Sequence, residues 1–452
     1  MATSTLPIDA VTELVGAEYV TSDPEALKAA AVDGVTPQLA IRPGAEEEVA
    51  ETLAWANAAG LAVAPRGQGK ALGIGEPPRR LDLVLRLDRL SKILEYEPAD
   101  LTVTAEAGVT LGELQRVLGA QGQWLPLDPA RGADHSLGGI IAANLSGPHR
   151  WRYGTSRDLL IGMRIVQADG MVYRGGAKVV KNVAGYDLPK LFVGSLGTLG
   201  VMTEVTFKLQ PLPRNSQTVV AQVPGVAPAA VLSGQVITSH LTPDALAIID
   251  TGGAARLHTL VPDIVAADTV AALFVVRFSG IAAAVTRQVN ELKAMVEAVG
   301  GSVTVVADDA VFWGSVADCP ALVTEGRAVR LKIAVLPTLL GEAMGAVQDA
   351  ARSKTLAVAQ VAHSGNGILY SVIRGFGPDD DREARTVEAA KAIRKVIAEL
   401  GGTTVVEHAP LSIKSAIGVW GPTRGDFRLM QALKTQFDPK ATLNPGRFVG
   451  GI

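Results

Sequence analysis

Residues 137–147 read LGGIIAANLSG, and the architecture is worked out from this stretch. Its Gly, Ala and Ser residues gather on one face of a short segment and make a flat wall with room for a planar ring. Tight packing against a neighbouring helix through the same small residues is the other reading. Upstream, PRGQGKALGIG (65–75) follows the apolar run LAVA (61–64). A glycine-rich turn after a buried strand exposes successive backbone N–H groups that together bind phosphate oxygens, and Arg66 and Lys70 add positive charge. It is not a P-loop, because Gly69-Lys70 lacks a following Ser or Thr and Ala64 stands where the first glycine belongs. A G-x-G-x-x-G turn opening a helix is also excluded, since Gly73, Ile74, Gly75 and two prolines follow. A plain surface turn is the alternative. Downstream, KNVAGYDL (181–188) and VGSLGTLGV (193–201) bring small residues among apolar ones just before a strand, a spacing that lets a ligand lie against backbone.

The chain has 452 residues, enough for two or three domains. Its 48 glycines exceed ordinary usage of ~7%, and they cluster between apolar runs. The balance of 42 basic against 45 acidic residues lacks the basic excess of a nucleic-acid binder. No run of eighteen apolar residues and no basic-then-apolar leader are present, so neither a membrane span nor a secretory signal is expected and the cytoplasm is the default. The single cysteine, Cys319, excludes an internal disulfide and a four-thiolate zinc or iron–sulfur site in this chain.

Periodicity predicts a helix over 45–59, a strand over 61–64, a strand over 101–107 with a helix over 111–118, a hairpin across Ala168-Asp169-Gly170, and a strand over 201–209. Pro211-Leu212-Pro213-Arg214 marks a domain boundary. Beyond it, LKAMVEAVGGSVTV (292–305) resembles IRKVIAELGGTTVV (393–406), each a helix, a Gly-Gly stop and a strand, each preceded by an apolar strand. A third strand–helix–strand unit spans 329–362. The expected division is 1–213, 214–424 as a separate α+β domain with repeated strand–helix–strand units, and 425–452 as a tail.

The order of these segments resembles the two-subdomain FAD-binding domain of the vanillyl-alcohol-oxidase-type flavoproteins. Residues 137–162 and 181–214 are similar, among them, to the FAD-binding subunits of bacterial glycolate oxidases, as is the tail FDPKATLNPGRF (437–448). The fold class implied is α+β, an FAD domain followed by a substrate or cap domain, with the tail returning to the FAD domain. By that resemblance Arg66, Gly67, Gln68, Gly69 and Lys70 would hold the FAD pyrophosphate. Leu137, Gly138, Gly139, Ala142, Asn144 and Gly147 would line the ribityl and isoalloxazine. Gly197, Gly200 and Val201 would pack near the adenine, and Asn444 and Arg447 would return to the flavin. Many relatives tether FAD through a histidine in the first loop; residues 66–75 contain none, which implies non-covalent FAD.

The resemblance also bears on the substrate side. Related D-2-hydroxy-acid dehydrogenases hold a metal with an H-x-G-D-G-N-x-H hairpin and a Glu before a later His-Gly. Here the hairpin reads His363-Ser364-Gly365-Asn366-Gly367-Ile368-Leu369-Tyr370, and Glu407-His408 is followed by Ala409-Pro410. One His and one Glu are too few for a catalytic metal, which takes three protein ligands, and no metal is expected. Three readings stay open: a turn kept for structure alone, a metal-free general base at His363, or a metal bound through other ligands. His408 is either a base tuned by Glu407 or a satisfied polar residue on a sheet. Arg327, Arg330 and Lys332 are candidate carboxylate clamps by charge, with a solvated face as the alternative. His135 and His149 are expected on exposed loops, with a place near the isoalloxazine as the other option. The expected function is an FAD-dependent oxidoreductase of small 2-hydroxy acids acting within a glycolate-oxidase-like complex. Its catalytic flavoprotein and iron–sulfur subunits would be separate chains, and the complex could assemble at the inner membrane face. The alternatives are a stand-alone D-2-hydroxy-acid dehydrogenase and a non-catalytic flavin-binding structural subunit.

Overall fold

The computed structural model of the chain describes residues 8–176, 187–263, 265, 272–306, 309–321, 328–375 and 381–452. Residues 181–186 of the KNVAGYDL segment and Arg327 lie outside the described residues.

In the N-terminal part the helix Glu46–Ala58 carries three glutamates in its first turn, where the positive helix end favours them. Val49, Leu53 and Ala56 form its buried stripe. It packs beside a small sheet in which Leu39–Ile41 and Val63–Arg66 both pair in parallel with Leu83–Arg86. The strand expected over 61–64 therefore lies two residues further on and takes in Pro65 and Arg66. Proline is tolerated because this strand is at the edge of its sheet. The C-terminal tail closes that edge: Val63 N–H donates to the Thr442 carbonyl at 2.7 Å, and Asn444 N–H donates to the Val63 carbonyl at 2.9 Å.

A second, antiparallel sheet has the order Ile93–Glu97, Thr102–Glu106, Val201–Lys208, Leu160–Val166, Val172–Gly176, and its last pair is the expected hairpin. Helices Leu111–Gly119 and Leu137–Ala143 bury Leu111, Leu114, Leu118, Ile140 and Ile141 against its Val103, Ala105, Val205 and Phe207. Ser136 caps the second helix by accepting from Gly139 N–H at 3.3 Å, and Asn144 ends it in the left-handed region at φ 47.

Residues 216–408 form one eight-stranded antiparallel sheet built from two copies of a strand–helix–strand–strand–helix–strand unit. The first copy has strands Ser216–Val223, Ala245–Ile249, Ala272–Ser279 and Ser302–Val306; the second has Val329–Ala334, Leu356–His363, Ile368–Gly375 and Thr403–His408. In each, the spatial order is fourth, first, third, second, and the two second strands meet at the seam, with Ala247 opposite His363. The segment 329–362 is therefore no third unit. It opens the second copy, and its counterpart is Ser216–Val223 through Ala245–Ile249.

Four long helices, Val226–Thr238, Ala282–Ala298, Leu340–Ser353 and Arg382–Glu399, cover one face through a continuous apolar core. The other face differs between the copies. In the first, Val220, Ala247, Ile249 and Val275 pack against helices Thr251–Leu260 and Ala310–Asp318. In the second, the cross-strand partners on that face include His363, Tyr370 and Lys332, and it turns towards the N-terminal sheets. Among the described residues no helix is long and apolar enough to cross a membrane.

Candidate functional site

A continuous groove runs between the two N-terminal sheets and ends at that polar face. Its far end is lined by Gly197, Gly200 and Val201 with Gly67, Gly138 and Gly139. Its narrow middle is lined by Arg66, Gly67, Gln68, Gly69 and Lys70 on one side, Gly139 and Ala142 on another, and Asn444 and Arg447 from the tail. Lys70, Ile74 and His135 are shared with the last compartment, a cavity of about 270 Å³ that includes Gly147, Arg330, His363, Tyr370, Glu407 and His408.

Helical spacing decides which residues of 137–147 face the groove. Gly138, Gly139 and Ala142 do, whereas Leu137 is fully buried in the core with Ile140 and Ile141. Asn144 is exposed as the helix cap, outside the groove lining. Both were expected beside the ligand and stand elsewhere. Gly67 is obligatory for a packing reason, because a Cβ there would sit 2.0 Å from Ser136 Oγ. At Gly147 a Cβ would lie 1.8 Å from the Asp128 carbonyl oxygen.

The loop 66–76 is held from outside. Arg447 is 2% exposed, and its Nη2 donates to the carbonyls of Leu72 and Ile74 at 2.5 and 2.6 Å. The fully buried Lys414 donates to Asp33 at 2.9 Å and to the Gly73 carbonyl at 2.6 Å. Asn444 Nδ2 donates to the Leu196 carbonyl at 2.7 Å. Among the described residues, Arg447 Nη1 and Asn444 Oδ1 are buried without a hydrogen-bond partner, and both residues line the groove. Buried polar atoms of this kind ordinarily have partners. Three cations around a narrow groove, a flat glycine–alanine wall and two unpaired polar atoms fit a nucleotide cofactor with a diphosphate and planar rings.

In the cavity, Arg330 Nε lies 3.3 Å and Lys332 Nζ 3.5 Å from the carboxylate of Glu407. A bulge sets this geometry: Val406 opposes Leu331 and His408 opposes Arg330, so Glu407 is the extra residue. Such a bulge re-aims a side chain, here the carboxylate towards the two cations. Burial lowers the pKa of His363 to about 3, with Asp128 opposing and Arg150 and Lys332 assisting, so its imidazole is neutral at neutral pH. Its Nδ1 is buried without a partner among the described residues, and its ring meets the edge or face of Tyr370 at 5.3 Å. Burial raises the Tyr370 phenol against the opposing pull of Lys332, so Tyr370 stays a hydrogen-bond donor. His408 is lowered by burial and by Arg330.

His135 and His149 are not exposed: they are 8% and 6% accessible. Burial lowers His135 to about 4, and Lys70, Arg131 and Arg330 push the same way. His135 walls the cavity, while His149, on the far side of helix Leu137–Ala143, packs against Trp124 and Trp313. Sequence reasoning passed over Tyr370 except as a replaced histidine, and it passed over Arg131; only contact across separate segments brings these to the cavity. Among the described residues no group of three His, Cys, Asp or Glu side chains is arranged to hold a metal.

Comparisons with known proteins agree with this arrangement. Residues 37–176 match the FAD binding domain family, and residues 212–448 match the family described as FAD linked oxidases, C-terminal domain. The glycolate oxidase subunit GlcD of Bacillus subtilis is 29% identical, over 91% of this chain and 88% of its own length. The glycolate oxidase subunit GlcE of Escherichia coli is 40% identical over 152 residues, 33% of this chain and 43% of its own. The D-2-hydroxyglutarate dehydrogenase of Xanthomonas citri is 28% identical over 90% of this chain and 88% of its own. Among solved structures, p-cresol methylhydroxylase has the same fold, with TM-score 0.75 at 16% identity, covering 97% of this chain and 95% of that one. The cofactor that fits the groove is FAD, and the chain belongs to the FAD linked oxidases.

Proposed function

We propose that this chain is an FAD-dependent oxidoreductase acting on the CH–OH group of small 2-hydroxy acids, as one subunit of a glycolate-oxidase-like complex. The observation that carries the reading is the junction between groove and cavity. The FAD groove opens into a small compartment whose described lining sets Lys70, Arg131 and Arg330 against the single carboxylate of Glu407. That balance favours an anion, and about 270 Å³ favours a small one. The names of the relatives support the same class: a glycolate oxidase subunit and a D-2-hydroxyglutarate dehydrogenase.

In this reading Arg330, held by Glu407, binds the substrate carboxylate, and Tyr370 donates a hydrogen bond beside it. The neutral imidazole of His363 accepts the hydroxyl proton, with His408 lying at the same face. An anionic substrate next to His363 raises its proton affinity, so that its pKa of about 3 is the value of the free site alone. When bound, FAD supplies the two-electron acceptor. The FAD is non-covalent, since residues 66–75 contain no histidine. Electrons leave to partner subunits, a second flavoprotein and an iron–sulfur protein, because a lone cysteine builds no cluster. Any attachment to the inner membrane face runs through those partners. The functional division is 1–213 for FAD, 214–424 for the substrate side and 425–452 for the returning tail.

The purified chain is expected to be yellow and to release FAD on acid precipitation. Flavin retained by the precipitate would point instead to a tether, with His135 the histidine that lines the groove. Anaerobic glycolate or D-lactate should bleach the flavin only when the partner subunits are present. Bleaching in the isolated chain would favour a stand-alone dehydrogenase, and no bleaching under either condition a structural flavin subunit. If His363→Ala and Glu407→Ala leave turnover of the full complex unchanged, their catalytic assignment fails.

A further inference from the structure

The segment that follows the glycine–alanine wall is held from two sides. Residues 137–147 lead into the short helix Arg150–Tyr153. Within the FAD domain, His149 N and Nδ1 lie 3.1 and 2.7 Å from Asp128 Oδ2, and Arg150 Nη1 donates to Ser146 Oγ at 3.0 Å. The next two side chains reach the eight-stranded sheet instead. Arg152 Nε lies 3.2 Å from Oδ1 of Asp244, a wholly buried carboxylate whose Oδ2 accepts from Arg277 Nη1 at 3.1 Å. Trp151 packs against the apolar core under that sheet.

Both contacts lead to His363. Asp244 immediately precedes the strand Ala245–Ile249, in which Ala247 is the cross-strand partner of His363. Trp151 lies against the turn Ser364–Asn366 that follows His363: a Cβ added to Gly365 would stand 2.4 Å from the indole ring. Gly367 is glycine for its backbone, at φ 65. Gly365 has no such φ, and the approach of the Trp151 ring is what leaves no room for a side chain. The helix Val226–Thr238 holds the same turn, Ser233 Oγ donating to Ser364 Oγ at 2.8 Å. Arg330 stands outside this bracket, on the strand Val329–Ala334 between Ile368–Gly375 and Thr403–His408. Loosening the bracket therefore moves the base and leaves the anion-binding cation in place.

We propose that Trp151 and Arg152 are positioning residues that fix how His363 stands relative to the flavin-binding wall. The inference rests on the reading of His363 as the group that accepts the hydroxyl proton. A displacement of about 1 Å from productive geometry costs on the order of a hundredfold in rate.

Anaerobic bleaching of the flavin by glycolate in the full complex, run beside oxalate titration of the flavin band and thermal melting, tests this. Trp151→Ala should slow bleaching at saturating glycolate by roughly tenfold or more. The half-saturating glycolate concentration and the oxalate dissociation constant should stay within about twofold, because Arg330 is untouched. Gly365→Ala should slow bleaching too, its Cβ displacing the ring, yet cost nothing further when added to Trp151→Ala. The Arg152 side chain is 44% exposed, so Arg152→Met tests the bracket in a folded chain. It should slow bleaching in the same direction, and Arg152→Lys, which keeps the charge, should restore it. Unchanged bleaching in Trp151→Ala, or a Gly365→Ala loss of equal size with and without the ring, would overturn the proposal. Oxalate binding and melting temperature falling in step with the rate would overturn it as well, since that marks general destabilisation. His363→Ala separates the proposal from the reading beneath it. If that variant bleaches normally, base and bracket fall together; if it does not bleach while Trp151→Ala bleaches at full rate, only the bracket falls.

Discussion

Replacing Lys414 by methionine should loosen the pyrophosphate loop without touching the groove itself. The Lys414 side chain is 2% exposed, and its ammonium is held by both oxygens of Asp33, at 2.9 and 3.0 Å, and by the Gly73 carbonyl at 2.6 Å. Methionine keeps the volume of the stem and removes the charge. Breaking a buried, hydrogen-bonded ion pair by removing one partner costs about 3–5 kcal/mol. Asp33 keeps 13% side-chain exposure and regains some water, so the lower end, about 3 kcal/mol, applies. That is roughly a hundredfold in an equilibrium constant, shared between global stability and FAD affinity according to how far the loop loosens in the folded chain. Urea denaturation and FAD titration of the apoprotein measure the two parts. Arg287→Met is the control, since its partner Glu291 lies in an exposed helical pair whose loss should not register in either assay. If Lys414→Met matches the unsubstituted chain in both assays, the latch is not what shapes the loop.

Other consequences follow from the same geometry. Glu407→Gln leaves Arg330 and Lys332 without their shared carboxylate, so oxalate, a non-reacting anion, should bind more tightly while turnover of the complex falls; equilibrium dialysis and steady-state assays check the two directions. Burial holds His363 near 3 and His135 near 4, below the 6.5 of a free imidazole. Between those values the unfolded chain binds protons that the folded chain does not, so stability rises with pH up to about 6.5 and then levels. Acidifying from pH 6.5 to 5 should cost roughly 2 kcal/mol for each histidine. Urea midpoints across that range test it, and His363→Gln should flatten the slope. Asn144 sits at φ 47 outside the groove lining, so Asn144→Ala should cost about 1 kcal/mol of stability and leave FAD affinity unchanged, whereas Asn144→Gly should be close to neutral.

Local pattern made much of the fold legible. Glu46–Ala58 announced itself by its acidic first turn and apolar stripe, and the hairpin from Leu160–Val166 to Val172–Gly176 by its Ala-Asp-Gly turn. The doubled unit was only half visible. Helices Ala282–Ala298 and Arg382–Glu399 share a Gly-Gly stop, but Val226–Thr238 is apolar on most sides and carries Pro228, so its kinship with Leu340–Ser353 leaves little trace in sequence. The glycine-rich groove segments could be read because backbone approach leaves a compositional mark. The role of Glu407 could not: its direction comes from a one-residue bulge against Val329–Ala334, and register is a property of two strands together. The buried positions of His135 and His149 were hidden for a similar reason. Nothing within 128–149 says that His149 is covered by Trp313 from another helix, or that His135 faces a cavity closed by Arg330.

The account rests on the FAD groove and the anion cavity being one continuous site. The flavin absorbance of the FAD-loaded chain, followed while oxalate is added, tests that directly, because only an anion seated beside the ring system perturbs its spectrum. A saturable shift of the visible band is predicted, weakened at least tenfold by Arg330→Met, the loss expected when a charge-assisted hydrogen bond is removed. Oxalate that leaves the band unmoved, or moves it equally in Arg330→Met, would contradict the account.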